Sequence, residues 1–341
     1  MEKIDFVVTW VDGGDSEWLA EKRRYENGGE AMAFGDADAN ADCRYRDCGL
    51  LKYWFRSVER FAPWVNRVFF VTCGQKPAWL DESNPKLRLV DHREYIPSDC
   101  LPTFQSNTIE LNLHRIPDLS ERFVLFNDDI FLLRPVAPGF FFRDGLPVIP
   151  CDLGIPRWLG SSNISRIAVN NSGVLRLGLD VERLVWRNIL KFADVRALGI
   201  ARAAKNVLSF AVNRVYIAGT FGHLSQAHLK STFEEVWRSQ PRALDRTSHS
   251  RFRTDDCLNH WLMSAWDMVS GRFFPANEKR IGAFVRLDPE SVTSVCKTIR
   301  RRARPEICLN DKGKGEDMER CFAEVALAFD AILPDKSSFE R

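Results

Sequence analysis

The run Asn127-Asp128-Asp129 follows directly on the apolar stretch Phe123 to Phe126. Two adjacent carboxylates at the end of a buried strand cannot both be desolvated and unpaired, because an isolated buried charge is very costly. A divalent cation resolves that conflict. Magnesium or manganese, held by one or two carboxylates and by the oxygens of a substrate diphosphate, is the usual arrangement in nucleotide-using transferases. A solvated turn whose aspartate caps the next segment is the plainer reading. Asp12 and Asp15, in Trp10-Val11-Asp12-Gly13-Gly14-Asp15, form a second acidic turn where a phosphate- or base-recognising loop commonly lies. Turn chemistry explains those glycines equally well, and the spacing is not that of a Gly-x-Gly-x-x-Gly dinucleotide loop.

Other candidates are more widely spread. Asp47 can cap the helix that begins near Leu50, while Arg46 can reach a phosphate. Leu101-Pro102-Thr103-Phe104-Gln105-Ser106 leads into a helix carrying Glu110, His114 and Arg115, and four-residue spacing puts Glu110 and His114 on one face, as ligands or as a surface ion pair. His223 is a plausible general base for a hydroxyl, and Arg253, beside Asp255 and Asp256, suits a diphosphate. Each of these four would more often be an ordinary surface residue.

These groups need elements to carry them. Ile4 to Trp10, Arg67 to Cys73, Lys86 to Asp91 and Phe123 to Phe126 read as strands. The stripe Leu50, Leu51, Trp54, Phe55, Val58 and Phe61, closed by Pro63, reads as a helix, as does Ile109 to Ile116. Strand–helix–strand alternation favours an α/β sheet with parallel members. Ligands of open α/β sheets collect at the carboxyl ends of strands, so Asp12, Gln75 and Asn127 to Asp129 are expected on one rim. The second half is more helical, with stripes at Val181, Leu184, Val185 and Ile189, at Leu258 to Val269, and at Met318 to Ile332. Residues 28 to 43 read as a surface loop, and Lys312 to Glu316 as a hinge. We expect an α/β core over 1–150 and a mainly helical part over 151–341 completing one catalytic unit.

Composition narrows the classes. The 341 residues are 45% hydrophobic, enough for a large core, and 48 Lys and Arg nearly balance 46 Asp and Glu, which disfavours a nucleic-acid partner. No secretory signal or apolar run of about 18 residues is seen, so a cytoplasmic protein is expected. The nine cysteines are odd in number and mostly in apolar segments, which suits reduced thiols better than disulfides or zinc.

As a set, the motifs are more specific. Ile4-Asp5-Phe6-Val7-Val8-Thr9-Trp10-Val11-Asp12-Gly13 resembles the first conserved region of the Stealth proteins. Arg46-Asp47, Tyr53 to Glu59, Ala62 to Val65, Val71 to Gln75, Leu101 to Phe104, Ile109-Glu110, His114-Arg115-Ile116 and Asn127-Asp128-Asp129 resemble the second. Gly222-His223 with Phe252 to Asp256 is similar to the third, and Ile307 to Asp311 with Ser338-Phe339-Glu340 to the fourth. Two positions depart from the pattern, Ser225 where a proline is frequent and Gln105 where Asn is usual, and the choice between His223 and His228 stays open.

That family includes bacterial capsule polymerases and the catalytic subunit of the animal enzyme that places N-acetylglucosamine 1-phosphate on lysosomal glycoproteins. The resemblance implies a glycosyltransferase-A-like core, a UDP-sugar donor, a polysaccharide acceptor, transfer of hexose 1-phosphate with loss of UMP, and Mg2+ or Mn2+. By the same resemblance Asp12, Arg46, Asp47, Gln75, Ser106, Glu110, His114, Arg115 and Asn127 would serve the donor, and Asp128 and Asp129 the metal. Asp129, His223 and Arg253 would serve catalysis, with Asn310 and Asp311 on the rim. Peripheral contact with the inner membrane face is also implied, although no amphipathic basic helix stands out. The rival reading is a metal-dependent glycosyltransferase that releases UDP. A non-catalytic carbohydrate binder, suggested by ten tryptophans, is weakened by their positions on apolar helix faces.

Overall fold

The computed structural model describes residues 3–28, 40, 42–151, 163–213, 222–311 and 315–341. The loop expected at 28 to 43 and the hinge at 312 to 316 lie mostly outside them. The apolar runs form β1 (Ile4–Thr9), β2 (Val68–Thr72), β3 (Leu87–Asp91) and β4 (Arg122–Asn127). Further strands follow: β5 (Ile130–Leu132), β6 (Phe142–Arg143), β7 (Leu146–Pro150), β8 (Gln226–Leu229), β9 (Phe274–Ala276), β10 (Gly282–Leu287) and β11 (Glu306–Asp311). The main sheet has the order β3-β2-β1-β4-β8, parallel except for its β8 edge, which the second half supplies. A second sheet, β10-β11-β5, pairs the C-terminal strands with the segment just after β4.

Side chains of a strand alternate between faces, and a parallel sheet covered on both sides buries both sets. Accordingly Ile4, Phe6 and Val8 enter one core with Trp54, Phe55 and Val58 of the helix Leu51–Phe61, whereas Val7, Phe69 and Phe123 enter another. The first core also takes Val325 and Phe329 from the helix Glu316–Asp330, and the second takes the helix Trp261–Ser270. Helices Asn163–Gly178 and Val181–Arg187 pack on Trp261–Ser270, and Ile200–Asn213 extends that layer. Among the described residues no helix is long and apolar enough to cross a membrane.

Two expected helices are shorter than their apolar stripes. The one over Ile109 to Ile116 is Ser106–Leu111 followed by a separate 3-10 turn, and the one through Ile189 stops at Arg187. Both break at an asparagine whose side-chain amide donates to the carbonyl four residues back, Asn112 to Thr108 and Asn188 to Leu184, each at 2.9 Å. Such a bond offers the backbone an alternative to the next helical turn.

Candidate active site at the carboxyl rim of the sheet

Thr9 and Asn127 are register partners across β1 and β4, so the segments that follow them leave the sheet side by side. Gln75, in the turn after β2, clasps the first segment: Asp12 N donates to its Oε1 at 2.9 Å, and its Nε2 donates to Asp12 O at 3.0 Å. The Asp12 carboxylate accepts from Gly14 N at 2.8 Å, and Asp15 caps the next helix by accepting from Glu17 N and Trp18 N. Gly13 is required by close approach, since a Cβ there would lie 2.2 Å from the carbonyl oxygen of Tyr45, to which Gly13 N donates. This contact brings Arg44, Tyr45, Arg46 and Asp47 to the rim.

Asp128 and Asp129 form the turn between β4 and β5. Burial, then Asp129, then Asp47 push the Asp128 carboxyl well above its ordinary pKa. Burial also raises Asp129, opposed by His223 and by the Cys308 thiol, which donates to its Oδ2 at 3.3 Å. Its Oδ1 has no hydrogen-bond partner among the described residues. A close carboxylate pair with an unmatched buried oxygen suits a hard divalent cation. Asp99, Cys100 and His249 also bring ligand-type atoms within 4.8 Å of one another, but His249 there already pairs with exposed Asp99 at 3.2 Å.

His223 lies in the field of Asp129, Arg253 and Arg44, with its ring stacked on Phe284 at 6.0 Å. Burial holds its imidazole below the ordinary pKa although Asp129 pulls the other way. Ser225, two residues on, donates its backbone N–H (3.2 Å) and hydroxyl (2.6 Å) to buried Glu306 of β11. A proline at 225 could not donate the first of these bonds, so serine there supplies its own anchor for the His223 segment. His228 is fully buried in β8, with Nε2 3.1 Å from His260 Nδ1, and burial drives its pKa to about 3.

Arg253 donates to Ser106 Oγ at 3.1 Å and lies in the field of Tyr45, Arg44 and Glu110. Burial raises Glu110 to about 7 against the pull of Arg253 and a hydrogen bond from Ser106, while His260 Nε2 stands 3.7 Å from its carboxylate. Arg46 pairs with Asp311 at 2.6 Å, next to Asn310 on β11. Asp47 does not cap the helix Leu51–Phe61; it accepts from Gly49 N at 3.1 Å and from Trp10 Nε1 at 3.5 Å. His114 does not share a face with Glu110, because the helix has ended at Asn112, and it packs instead against Phe233 and Trp237. Arg115 lies over the Trp237 ring, 4.6 Å from its centre. Asp255 is taken by Arg166, and Asp256 accepts from Thr254 Oγ1 at 2.7 Å.

The description "Stealth protein CR1, conserved region 1" matches residues 2–30, and "Stealth protein CR2, conserved region 2" matches 44–148. The chain is 41% identical to the receptor polysaccharide phosphotransferase WefC of Streptococcus oralis, over the whole of both chains. It is 40% identical to the capsular polysaccharide phosphotransferase WcwK of Streptococcus pneumoniae, again over the whole of both. The chain belongs to the Stealth family. The exopolysaccharide phosphotransferase cps2G of Lactiplantibacillus plantarum is 33% identical over 99% of this chain and 96% of its own. A solved structure of the galactosyltransferase LgtC with donor and acceptor sugar analogs covers 95% of each chain at 12% identity and a TM-score of 0.43.

The two matched Stealth regions hold Asp12, Arg46, Gln75, Ser106, Glu110 and Asn127 to Asp129, and folding adds His223, Arg253 and Asp311 from beyond them. Sequence reasoning passed over Arg44, Tyr45, Cys308 and His260. Arg44 and Tyr45 were signalled by adjacency to Arg46, and Cys308 only by lying within the stretch Ile307 to Asp311; His260 sits on a helix start with nothing in its spacing to mark it.

Proposed function

We propose that this protein transfers a hexose 1-phosphate, in an N-acetylhexosamine-type donor, from a UDP-sugar to a sugar hydroxyl of a polysaccharide acceptor, releasing UMP, in capsule or exopolysaccharide synthesis. The observation that carries the reading is the placing of His223 in the fields of both Asp129, at the end of β4, and Arg253, in a chain alike over its full length to polysaccharide phosphotransferases. We read the sheet as a glycosyltransferase-A-like nucleotide-sugar core over 1–150, with 151–341 completing the same unit. The enzyme would work in the cytoplasm at the inner membrane face.

Asp128 and Asp129 would hold Mg2+ or Mn2+, which when bound neutralises charge on the donor's phosphates. Neutral His223, its basic form favoured by burial, accepts the proton of the acceptor hydroxyl as that oxygen attacks the phosphorus next to the donor sugar. Arg253, braced by Ser106, spreads the charge gathering on the phosphoryl oxygens, and such preorganised electrostatics supply most of the rate in phosphoryl-type transfer. The Asp12 turn clasped by Gln75, together with Arg46 and Asp311, borders the nucleotide. No covalent nucleophile is required.

The test is phosphorus NMR of products formed from a panel of UDP-sugars with magnesium and an oligosaccharide acceptor. A phosphodiester in the product together with free UMP is expected. Free UDP with a phosphorus-free linkage would overturn the reading in favour of an ordinary glycosyltransferase.

A further inference from the structure

The helical layer over 163–213 is built differently from the rest of the surface. Its inner side is satisfied, since Leu175, Val181, Val185, Phe192, Leu198 and Phe210 all enter the core beneath. Its outer side is nonetheless rich in large apolar residues: Leu190 is 83% exposed, Leu177 79%, Ile200 77%, Leu208 64% and Trp186 49%. Eight of the ten exposed large hydrophobics among the described residues fall between Val169 and Leu208. Single exposed leucines are ordinary, but such a concentration marks an interaction surface.

Charge indicates what covers it. Residues 163–213 carry eight Lys or Arg against three Asp or Glu, in a chain whose net charge is only +2. Exposed Arg183, Arg187 and Arg196 alternate along the chain with exposed Trp186, Leu190 and Val195, so cations and apolar side chains are interleaved through this layer. In a two-fold dimer the same patch would face itself, and excess positive charge would meet its own copy. An anionic bilayer instead meets both features: headgroups pair with the arginines while the leucines and tryptophan enter the acyl boundary. With no described helix able to span a membrane, such contact is peripheral.

We propose that the outer face of this layer docks the enzyme on anionic phospholipid. The sequence reading found no amphipathic basic helix because the face is spread over five helices, with Arg183, Arg187, Arg196 and Leu190 on short ones between the longer Asn163–Gly178 and Ile200–Asn213. The experiment is flotation of the full chain with phosphatidylglycerol-containing vesicles and with pure phosphatidylcholine vesicles. Binding is expected to the first and not the second, and to weaken as salt rises. Since each cation near an anionic surface contributes about fivefold, Arg183→Glu/Arg187→Glu/Arg196→Glu should lower partitioning roughly a hundredfold or more. Leu190→Ser/Leu208→Ser, which keeps the charge, should also lose most binding, and both variants should keep wild-type melting and turnover on soluble substrates. Absence of flotation with anionic vesicles, or flotation that both variants leave intact, would overturn the proposal. So would concentration-dependent self-association that these substitutions abolish, which would give the face to a second copy of the chain.

Discussion

Arg56 with Glu340, and Asp128 with Asp129, take charge into the same protein in opposite ways. Arg56, 8% exposed, forms a two-pronged bond to Glu340, Nε to Oε1 and Nη2 to Oε2 each at 2.8 Å, and donates to Leu333 O. Burial works against ionised Glu340, but the bonds from Arg56 and Ser337 outweigh it and hold its pKa below the ordinary value. Every charge there has its counter-charge, and the pair ties the C-terminus to the helix Leu51–Phe61. At the end of β4 the signs repeat: burial pushes both carboxyls up, repulsion from Asp129 and Asp47 adds to it at Asp128, and Asp129 Oδ1 lacks a hydrogen-bond partner among the described residues. A matched pair holds a fold together, whereas an unmatched one stores a demand that a proton or a bound cation meets.

Three substitutions would sharpen or break this contrast. On the unmatched side, His223→Ala should lower turnover about 10²- to 10⁴-fold while leaving donor affinity within about threefold. Steady-state kinetics beside donor-binding calorimetry checks this, and unchanged turnover would remove His223 from the role. On the matched side, Glu340→Ala should strip about 3 kcal/mol from unfolding in denaturant while turnover of the folded enzyme holds, because a buried arginine loses its two-pronged partner and keeps only Leu333 O and the exposed Asp330 at 3.6 Å. A loss under about 1 kcal/mol would show that pair to be incidental.

The smallest effect is on pH dependence. Glu110 has its folded pKa raised to about 7 by burial, so between its ordinary value and that point the folded state keeps a proton that the unfolded chain releases. Its contribution is therefore complete at low pH and is lost as pH rises through that window. Glu110→Gln should shrink the fall in stability between about pH 5 and about pH 8 by about 1–3 kcal/mol. An unaltered profile would leave Asp267 and Glu306, also raised to about 7 by burial, as its source.

The same contrast explains what the sequence revealed. β1, β4 and the acidic turn between β4 and β5 were legible because a buried parallel strand is a continuous apolar run and its abrupt polar end is conspicuous. Matching partners far apart in sequence was not legible: Arg56 meets Glu340, and Arg46 meets Asp311, only through packing. The shared face expected of Glu110 and His114 rested on a helical spacing that Asn112 cancels with one side-chain bond. His260 was passed over because its significance lies in standing between Glu110 and His228, which no local pattern records.

The most direct measurement is calorimetric titration of a UDP-sugar into wild type and into Asp128→Asn/Asp129→Asn, each with and without magnesium. Wild type should bind the donor far more tightly with the ion present, and the variant should lose that dependence while melting no lower, since it sheds a repulsion rather than a bond. A variant that still binds the donor in the same magnesium-dependent way would contradict the account.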